Sequence, residues 1–132
     1  MSRSAQEEAN IQLVLGVYEH VLKPLESRRV DDFFAAGYIQ HNPMAETGAQ
    51  GLKRFLDWAR TTTPNARHHI KRVFVEGDHV IAHVHVIVDS HDPDDRGNAV
   101  VDIFRIEDGL VAEHWDVAQA VPEQPANANG VF

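Results

Sequence analysis

The sequence contains no cysteine, which excludes disulfide bonds, a thiolate nucleophile and a cysteine-ligated zinc ion. It also lacks any run of about eighteen consecutive apolar residues, so we expect no transmembrane helix. The first ten residues, MSRSAQEEAN, have no apolar segment of the kind that signal peptides carry. These three absences together favour a soluble, cytoplasmic protein.

Basic residues are in the minority, with 12 Lys and Arg against 20 Asp and Glu and a formal net charge of −8. Nucleic-acid binding needs basic surface that displaces counterions, so we expect neither a nucleic-acid nor a membrane partner. A chain of 132 residues is long enough for one well-packed core. We therefore predict a single domain over residues 1–121, followed by an extended tail over 122–132 that is rich in Pro, Asn and Ala.

Helical periodicity dominates the N-terminal half of the chain. Ser4 and Glu7 have the spacing of a capping box, which predicts a helix over about 5–22. A short second helix is predicted over 30–36, and a third over about 48–60. Between the last two, the segment YIQHNP is expected to be extended up to its proline, because the residue before a proline avoids the helical region.

From residue 67 onward, the sequence pattern changes to the two-residue period that is typical of strands. Four strands are predicted, and Gly77-Asp78 and Asp108-Gly109 are the signals of tight hairpin turns between them. Helices followed by an antiparallel meander indicate an α+β fold. We predict a curved antiparallel or mixed sheet wrapped round about three N-terminal helices, with a central pocket between them. The predicted strands cover 67–76, 79–89, 97–107 and 110–121.

Strand alternation sorts the histidine-rich region 68–90 into two faces. His83 and His85 share one face of their strand, and Val80, Ala82 and Val84 occupy the other. The first set suits a partly polar pocket wall, with His69 as a neighbour across the hairpin. On the later strands, Asp102 shares a face with Phe104 and Ile106, and His114 shares one with Asp116 and Ala118.

Two segments carry a family resemblance, YIQHNP and VDIFRIEDGLVAEHWDV. With the order of helices and strands, they make the chain resemble SnoaL-like proteins of the nuclear transport factor two-like superfamily. This resemblance covers nearly the whole chain and implies an α+β cone. It implies a homodimer that forms through the convex face of the sheet. Relatives include polyketide cyclases, ketosteroid isomerases, dehydratases and epoxide hydrolases. The resemblance therefore predicts the fold better than it predicts the reaction.

The resemblance also suggests site residues. It places His41 at the mouth of the pocket, where ketosteroid isomerases have an aspartate base, and this departure argues against steroid-type isomerisation. It places Asp102 on the inward face of a central strand, near the position of an oxyanion donor. His114 and Asp116 fall on the strand that carries the acid–base aspartate of the cyclases.

From these residues we predict a lyase or isomerase of the aldol-condensation or cyclase type that needs no cofactor. An imidazole, with a pKa near ~6.5 in water, and a carboxyl group can both exchange protons at neutral pH. The substrate would be a small carbonyl compound, with Asp116 as acid and base, His41 or His114 as its partner and Asp102 as a donor. The ligand-binding residues would be Tyr18, Phe34, Phe55, His69, His83, His85 and Phe104.

Two alternatives stay open on the sequence. The chain could be a ligand-binding or interaction module of the same fold without chemistry. It could also be a metal-dependent enzyme, because His83 and His85 at i and i+2 could bind zinc, nickel, copper or iron with further ligands. The residues that could complete such a site are His41, His69, His114 and Asp116.

Overall fold

The computed structural model describes residues 2–132 and begins with the predicted long helix. Helix α1 covers Ala5–Val17 and continues without a break as a π-helical turn over Tyr18–Leu22. The Ser4 hydroxyl accepts from the Glu7 amide at 3.0 Å, and the Glu7 carboxylate accepts from the Ser4 amide at 2.9 Å. The predicted capping box and the helical span 5–22 are therefore both confirmed.

The second helix is shorter than predicted. After a 3₁₀ turn at Ser27–Arg29, helix α2 covers only Val30–Phe33, and strand β1 follows at once over Phe34–Gln40. The predicted helix end at Gly37 was wrong, because the backbone is already extended at Phe34 (φ −115°, ψ 139°). Pairing with a distant strand overrides the weak local helix signal here. Helix α3 covers Gly48–Thr62, two residues beyond its predicted end.

The four predicted strands are all present. They are β2 Arg67–Glu76, β3 His79–Ile87, β4 Asn98–Glu107 and β5 Leu110–Ala120. The sheet order is β1-β5-β4-β3-β2. Every neighbouring pair is antiparallel except β1 and β5, which run parallel. The fold is the predicted α+β arrangement, with three helices against one curved, mixed sheet.

The core lies between the helices and the concave face of this sheet. Val80, Ala82 and Val84 of β3 have no exposed surface and pack against the helical layer. The all-apolar face of β3 is therefore the inward one. Its histidine face must then point to the convex side, since successive side chains of a strand alternate.

Bulges interrupt the alternation in two places. In β2 the register with β3 shifts between Ile70 and Arg72, so that Val73 lies opposite the buried Ala82 and Arg72 opposite His83. Strict alternation would place Ile70 and Arg72 on one face, and the extra residue of the bulge separates them. A second shift lies between Arg105 and Ile106, where β4 pairs with β5.

The C-terminal tail returns to the convex face of the sheet. The Phe132 ring centroid lies 4.6 Å from that of His85 and 5.4 Å from that of His83. The Lys71 ammonium group lies 5.1 Å from the same phenyl ring, a cation–π distance. The tail thus covers part of the histidine face. None of the helices within residues 2–132 is long and apolar enough to cross a membrane.

Candidate active site

A cavity of about 260 Å³ lies between the concave face of the sheet and the helices. Most of its surface is apolar, and its polar side chains come from β1, β2, β4, β5 and the turn after β1. The apolar lining includes Leu22, Phe34, Leu52, Phe55, Val86, Val100 and Phe104. The polar lining consists of Tyr38, Gln40, Asn42, His68, Asp102, His114 and Asp116.

The pairing of β4 with β5 brings three of the predicted residues together. Asp102 lies directly opposite Asp116, and Phe104 lies opposite His114. One ligand-type atom each of Asp102, His114 and Asp116 lies within 4.8 Å of the other two. Alternation correctly grouped His114 with Asp116, and the strand register, which the sequence left open, places Asp102 on the same side of the sheet as both.

Both carboxylate oxygens of Asp102 have partners inside the protein. The Tyr18 hydroxyl donates to Oδ2 at 2.5 Å, and Nε2 of His114 lies 2.9 Å from Oδ1. Burial, together with the negative charge of Asp102, raises the pKa of Tyr18 well above its ordinary value. The tyrosine therefore keeps its proton and stays a donor to this buried carboxyl group.

The neighbours of His114 determine where its protons lie. Gln40 Oε1 must be an acceptor, because the Asn42 backbone N–H donates to it at 3.0 Å. Nδ1 of His114 lies 2.8 Å from the same oxygen and must therefore carry a hydrogen. Nε2 then shares one further proton with Asp102: either a protonated Asp102 donates to a neutral imidazole, or an imidazolium donates to a carboxylate.

Asp116 differs from Asp102 because only one of its oxygens is occupied. Asn42 Nδ2 donates to Oδ2 at 2.6 Å, while Asn42 Oδ1 accepts from the Met44 amide at 2.7 Å, which orients the Asn42 side chain. Within residues 2–132, no group donates a hydrogen bond to Oδ1 of Asp116. A carboxylate oxygen that faces a cavity without a protein partner is available to a ligand.

Tyr38 supplies a hydroxyl group to the same cavity. Its oxygen accepts from Gln40 Nε2 at 2.8 Å, and its own proton has no acceptor within residues 2–132. Burial raises the pKa of Tyr38 to about 12, although the hydrogen bond from Gln40 opposes this shift. The hydroxyl therefore stays protonated at neutral pH and can donate to a ligand.

The structure places His41 outside this cavity, in contrast to the prediction. Its side chain is 42% exposed, stacks on Trp115 at 5.0 Å and lies 2.7 Å from a Glu113 oxygen. Alternation explains the difference, because Gln40 and Asn42 point inward and the residue between them points to the convex side. The hydrogen bonds from His41 and Arg105 lower the pKa of Glu113, which makes this group a surface charge network.

His69, His83 and His85 also lie on the convex face, so the expectation that they line the pocket was wrong. The pairs His69–His85 and Arg72–His83 sit across β2 and β3 on the side opposite the buried valines. Arg72 and His83 contact each other there, and Nε2 of His85 lies 2.8 Å from the Arg96 carbonyl. The prediction that His83 and His85 share one face was right. Which face of the strand turned inward depended on the packing of the helices.

Of the other predicted ligand-binding residues, three line the cavity and one lies behind it. Phe34, Phe55 and Phe104 line the cavity as expected. Tyr18 has no exposed surface and lies behind Asp102, so it reaches a ligand only through that carboxyl group.

Four polar lining residues were missed from the sequence: Tyr38, Gln40, Asn42 and His68. Alternation along YIQHN would have grouped the first three, but the segment was interpreted only as extended and was centred on its histidine. His68 was not among the predicted site residues. It lies on the inward face, opposite Val86 of β3.

Within residues 2–132, no group of three possible metal ligands includes His83 or His85, nor His41 or His69 on the same face. His114 and Asp116 lie on the other face of the sheet. The three atoms of Asp102, His114 and Asp116 are close enough to bind one ion. However, the Asp102 oxygen and the His114 nitrogen nearest each other already share a hydrogen bond at 2.9 Å. An ion bound to these two atoms would have to replace that bond.

The fold and the cavity define the class of protein as an α+β cone with an internal cavity. Residues 17–114 match the SnoaL-like domain family, and the chain therefore belongs to that family. No curated protein sequence matches the chain.

Solved structures share the fold at low sequence identity. A candidate polyketide cyclase from Bacillus cereus ATCC 10987 has a TM-score of 0.75 at 20% identity, over 88% of this chain and 78% of that one. A candidate SnoaL-like polyketide cyclase from Jannaschia sp. CCS1 has a TM-score of 0.72 at 20% identity, over 89% and 90%. AclR from Streptomyces galilaeus, a candidate hydroxylase, has a TM-score of 0.69 at 16% identity, over 91% of each chain.

Proposed function

We propose that this protein is an acid–base enzyme of the lyase or isomerase type that acts on a small, largely apolar carbonyl compound without a cofactor. The observation that carries this proposal is the contrast between two neighbouring carboxyl groups. Asp102 has both oxygens bonded to protein groups, whereas Asp116 keeps one oxygen free in an apolar cavity. Two carboxyl groups in different environments suit different roles in one reaction.

In the proposed reaction, Asp116 Oδ1 takes a proton from the carbon next to the substrate carbonyl. The electron pair left behind forms an enolate, whose oxygen accepts a hydrogen bond from the free Tyr38 hydroxyl proton. In an intramolecular aldol closure, the enolate carbon then attacks a second carbonyl of the same molecule. The new alkoxide receives the proton that Asp116 carries, so the product is an isomer of the substrate and the enzyme is restored.

Asp102 and Tyr18 act in this proposal as positioning residues. Tyr18 holds Asp102, Asp102 in turn contacts His114, and His114 lies beside Asp116. Gln40 links the other side of His114 to Tyr38, so that the proton-bearing groups form one connected chain. Such a network keeps the base and the donor in fixed geometry before a ligand binds.

A wild-type assay tests the proposed chemistry without the natural substrate. We expect the protein to accelerate exchange of the acidic α protons of 2-tetralone, a bicyclic ketone, in deuterated buffer, as followed by proton NMR. Added EDTA should leave the rate unchanged, whereas a metal-dependent reaction would lose it. Binding of 2-tetralone with no acceleration above the buffer rate would contradict the proposal.

A non-catalytic binding module is the second candidate function, and it would bind 2-tetralone without accelerating the exchange. The observation that favours this second candidate is the complete hydrogen bonding of Asp102 and His114 within the protein. A purely structural network needs no more than this. The free oxygen of Asp116 and the free proton of Tyr38 favour the enzyme, because a carboxylate can take a proton and a hydroxyl group can stabilise the enolate that results.

We also propose a homodimer that forms through the convex face of the sheet, and a cytoplasmic location. Phe74 and Val117 are 56% and 69% exposed on this face, where Ile39 is also exposed. We expect V117D to shift sedimentation equilibrium towards monomer, because the dimer would bury a carboxylate. M44D, at an exposed apolar residue beside α3, should leave the mass unchanged. A wild-type monomer at micromolar concentration would contradict this proposal.

A further inference from the structure

His68 lies in the cavity at the opposite end of the sheet from Asp116. It belongs to β2, and Asp116 belongs to β5, with β4 and β3 between them. Asp116 lies in the same cross-strand row as Ala82 of β3, and His68 lies in the row of Val86, four residues further along. Three strand spacings of ~4.8 Å and this offset of ~3.3 Å per residue separate the two side chains by roughly 20 Å along a flat sheet, and curvature brings them closer. The walls between them are apolar, with Val86, Val100 and Phe104 among their residues.

The ring of His68 lacks the partner that a structural histidine would have. Its Nδ1 atom is buried and makes no hydrogen bond, and it is the one such side-chain atom found within residues 2–132. Buried polar groups nearly always have a partner, and one left without costs roughly 1–3 kcal/mol. Burial also lowers the pKa of His68, although the charge of Asp102 opposes this, so the imidazole is neutral at neutral pH.

We propose that His68 is a second polar anchor of the pocket, which hydrogen-bonds a hydroxyl group of the ligand at the end remote from Asp116. A neutral imidazole can exchange hydrogen bonds with a hydroxyl without the cost of burying a charge. The ligand is then elongated, apolar in its middle and oxygenated at both ends, with its reacting carbonyl at Asp116. Only the placement of the reacting carbonyl at Asp116 rests on the proposed function.

A molecule of two fused rings with an oxygen at each end, extended by one hydrogen bond of ~2.8 Å at each oxygen, suits the separation of His68 and Asp116 once the curvature of the sheet has shortened it. The probes are therefore 6-hydroxy-2-acetonaphthone and 2-acetonaphthone, which differ by one hydroxyl group. Fluorescence titration gives the ratio of their dissociation constants for the wild type, for H68L and for H41L. The last variant is the matched control, because His41 lies outside the cavity.

We expect the wild type and H41L to bind the hydroxylated probe about 10-fold more tightly, the factor that one hydrogen bond of about 1.4 kcal/mol gives. In H68L the ratio should fall to near one. An unchanged ratio in H68L, or no binding of either probe to the wild type, would overturn the proposal. If H68L fails to fold, nitrogen-15 NMR of the wild type decides: the His68 ring signals should move with the hydroxylated probe and not with the other.

These results separate the anchor from the proposed chemistry. A hydroxyl preference that disappears in H68L, without any proton exchange in 2-tetralone, supports the anchor and contradicts the enzyme. Proton exchange in 2-tetralone, together with an unchanged ratio in H68L, supports the enzyme and contradicts the anchor.

Discussion

D116N is expected to slow the exchange of 2-tetralone α protons by about 100-fold or more without changing the fold. General base catalysis contributes typically ~10²–10⁴ to a rate, and asparagine cannot accept the proton. The replacement keeps the shape of the side chain, and its Oδ1 can still accept from Asn42 Nδ2, as Asp116 Oδ2 does at 2.6 Å. Proton NMR in deuterated buffer gives the rate, and circular dichroism checks the fold.

H41Q is the control that distinguishes the cavity from the convex face. The sequence suggested His41 as a partner of Asp116 at the mouth of the pocket, whereas the structure places it against Glu113 and Trp115, away from the cavity. We therefore expect H41Q to retain the wild-type rate. Exchange at the wild-type rate in D116N would refute the assignment of the base, and a loss in H41Q as large as in D116N would return His41 to the mechanism.

Asp102 is expected to matter most for stability, and the size of the effect should depend on which residue replaces it. D102A leaves the buried Tyr18 hydroxyl and Nε2 of His114 without partners. At roughly 1–3 kcal/mol for each, we expect the free energy of unfolding to fall by about 3 kcal/mol. That is a large part of the ~5–15 kcal/mol that keeps a typical domain folded.

D102N is the matched variant, and it should cost about 1 kcal/mol or less. The Asn oxygen can accept from Tyr18, and its amide can donate to Nε2 of His114. This second bond requires that Nε2 be an acceptor, which follows if Nδ1 carries the hydrogen that Gln40 receives. Urea unfolding of the two variants measures the difference. Equal losses in D102A and D102N would contradict the deduced positions of the protons on His114.

Several features of the fold, and one pair of site residues, were predictable from local patterns alone. The capping box of Ser4 and Glu7 fixed the start of α1, and turn signals fixed both hairpins. Alternation correctly grouped His114 with Asp116. These features depend on residues close together in the chain, whose geometry follows from helix and strand periods.

Other parts depended on residues that are distant in the sequence. The strand β1 exists because Phe34, Ile39 and Gln40 pair with β5, about 75 residues later. The bulge after Ile70 separates it from Arg72, and no residue type in that stretch marks it. His41 was favoured because histidine suggests chemistry, although its neighbours Gln40 and Asn42 are the ones that face the cavity.

The sequence by itself determined the fold class and the two faces of each unbroken strand, because periodicity and capping act over a few residues. The family came from the resemblance that YIQHNP and VDIFRIEDGLVAEHWDV carry. Only the tertiary structure decided which face became the cavity. The helices cover the valine face of β3, because burying Val80, Ala82 and Val84 is more favourable than burying His83 and His85. That packing moved the histidine pair to the convex side, and the register of β4 with β5 placed Asp102, His114 and Asp116 together.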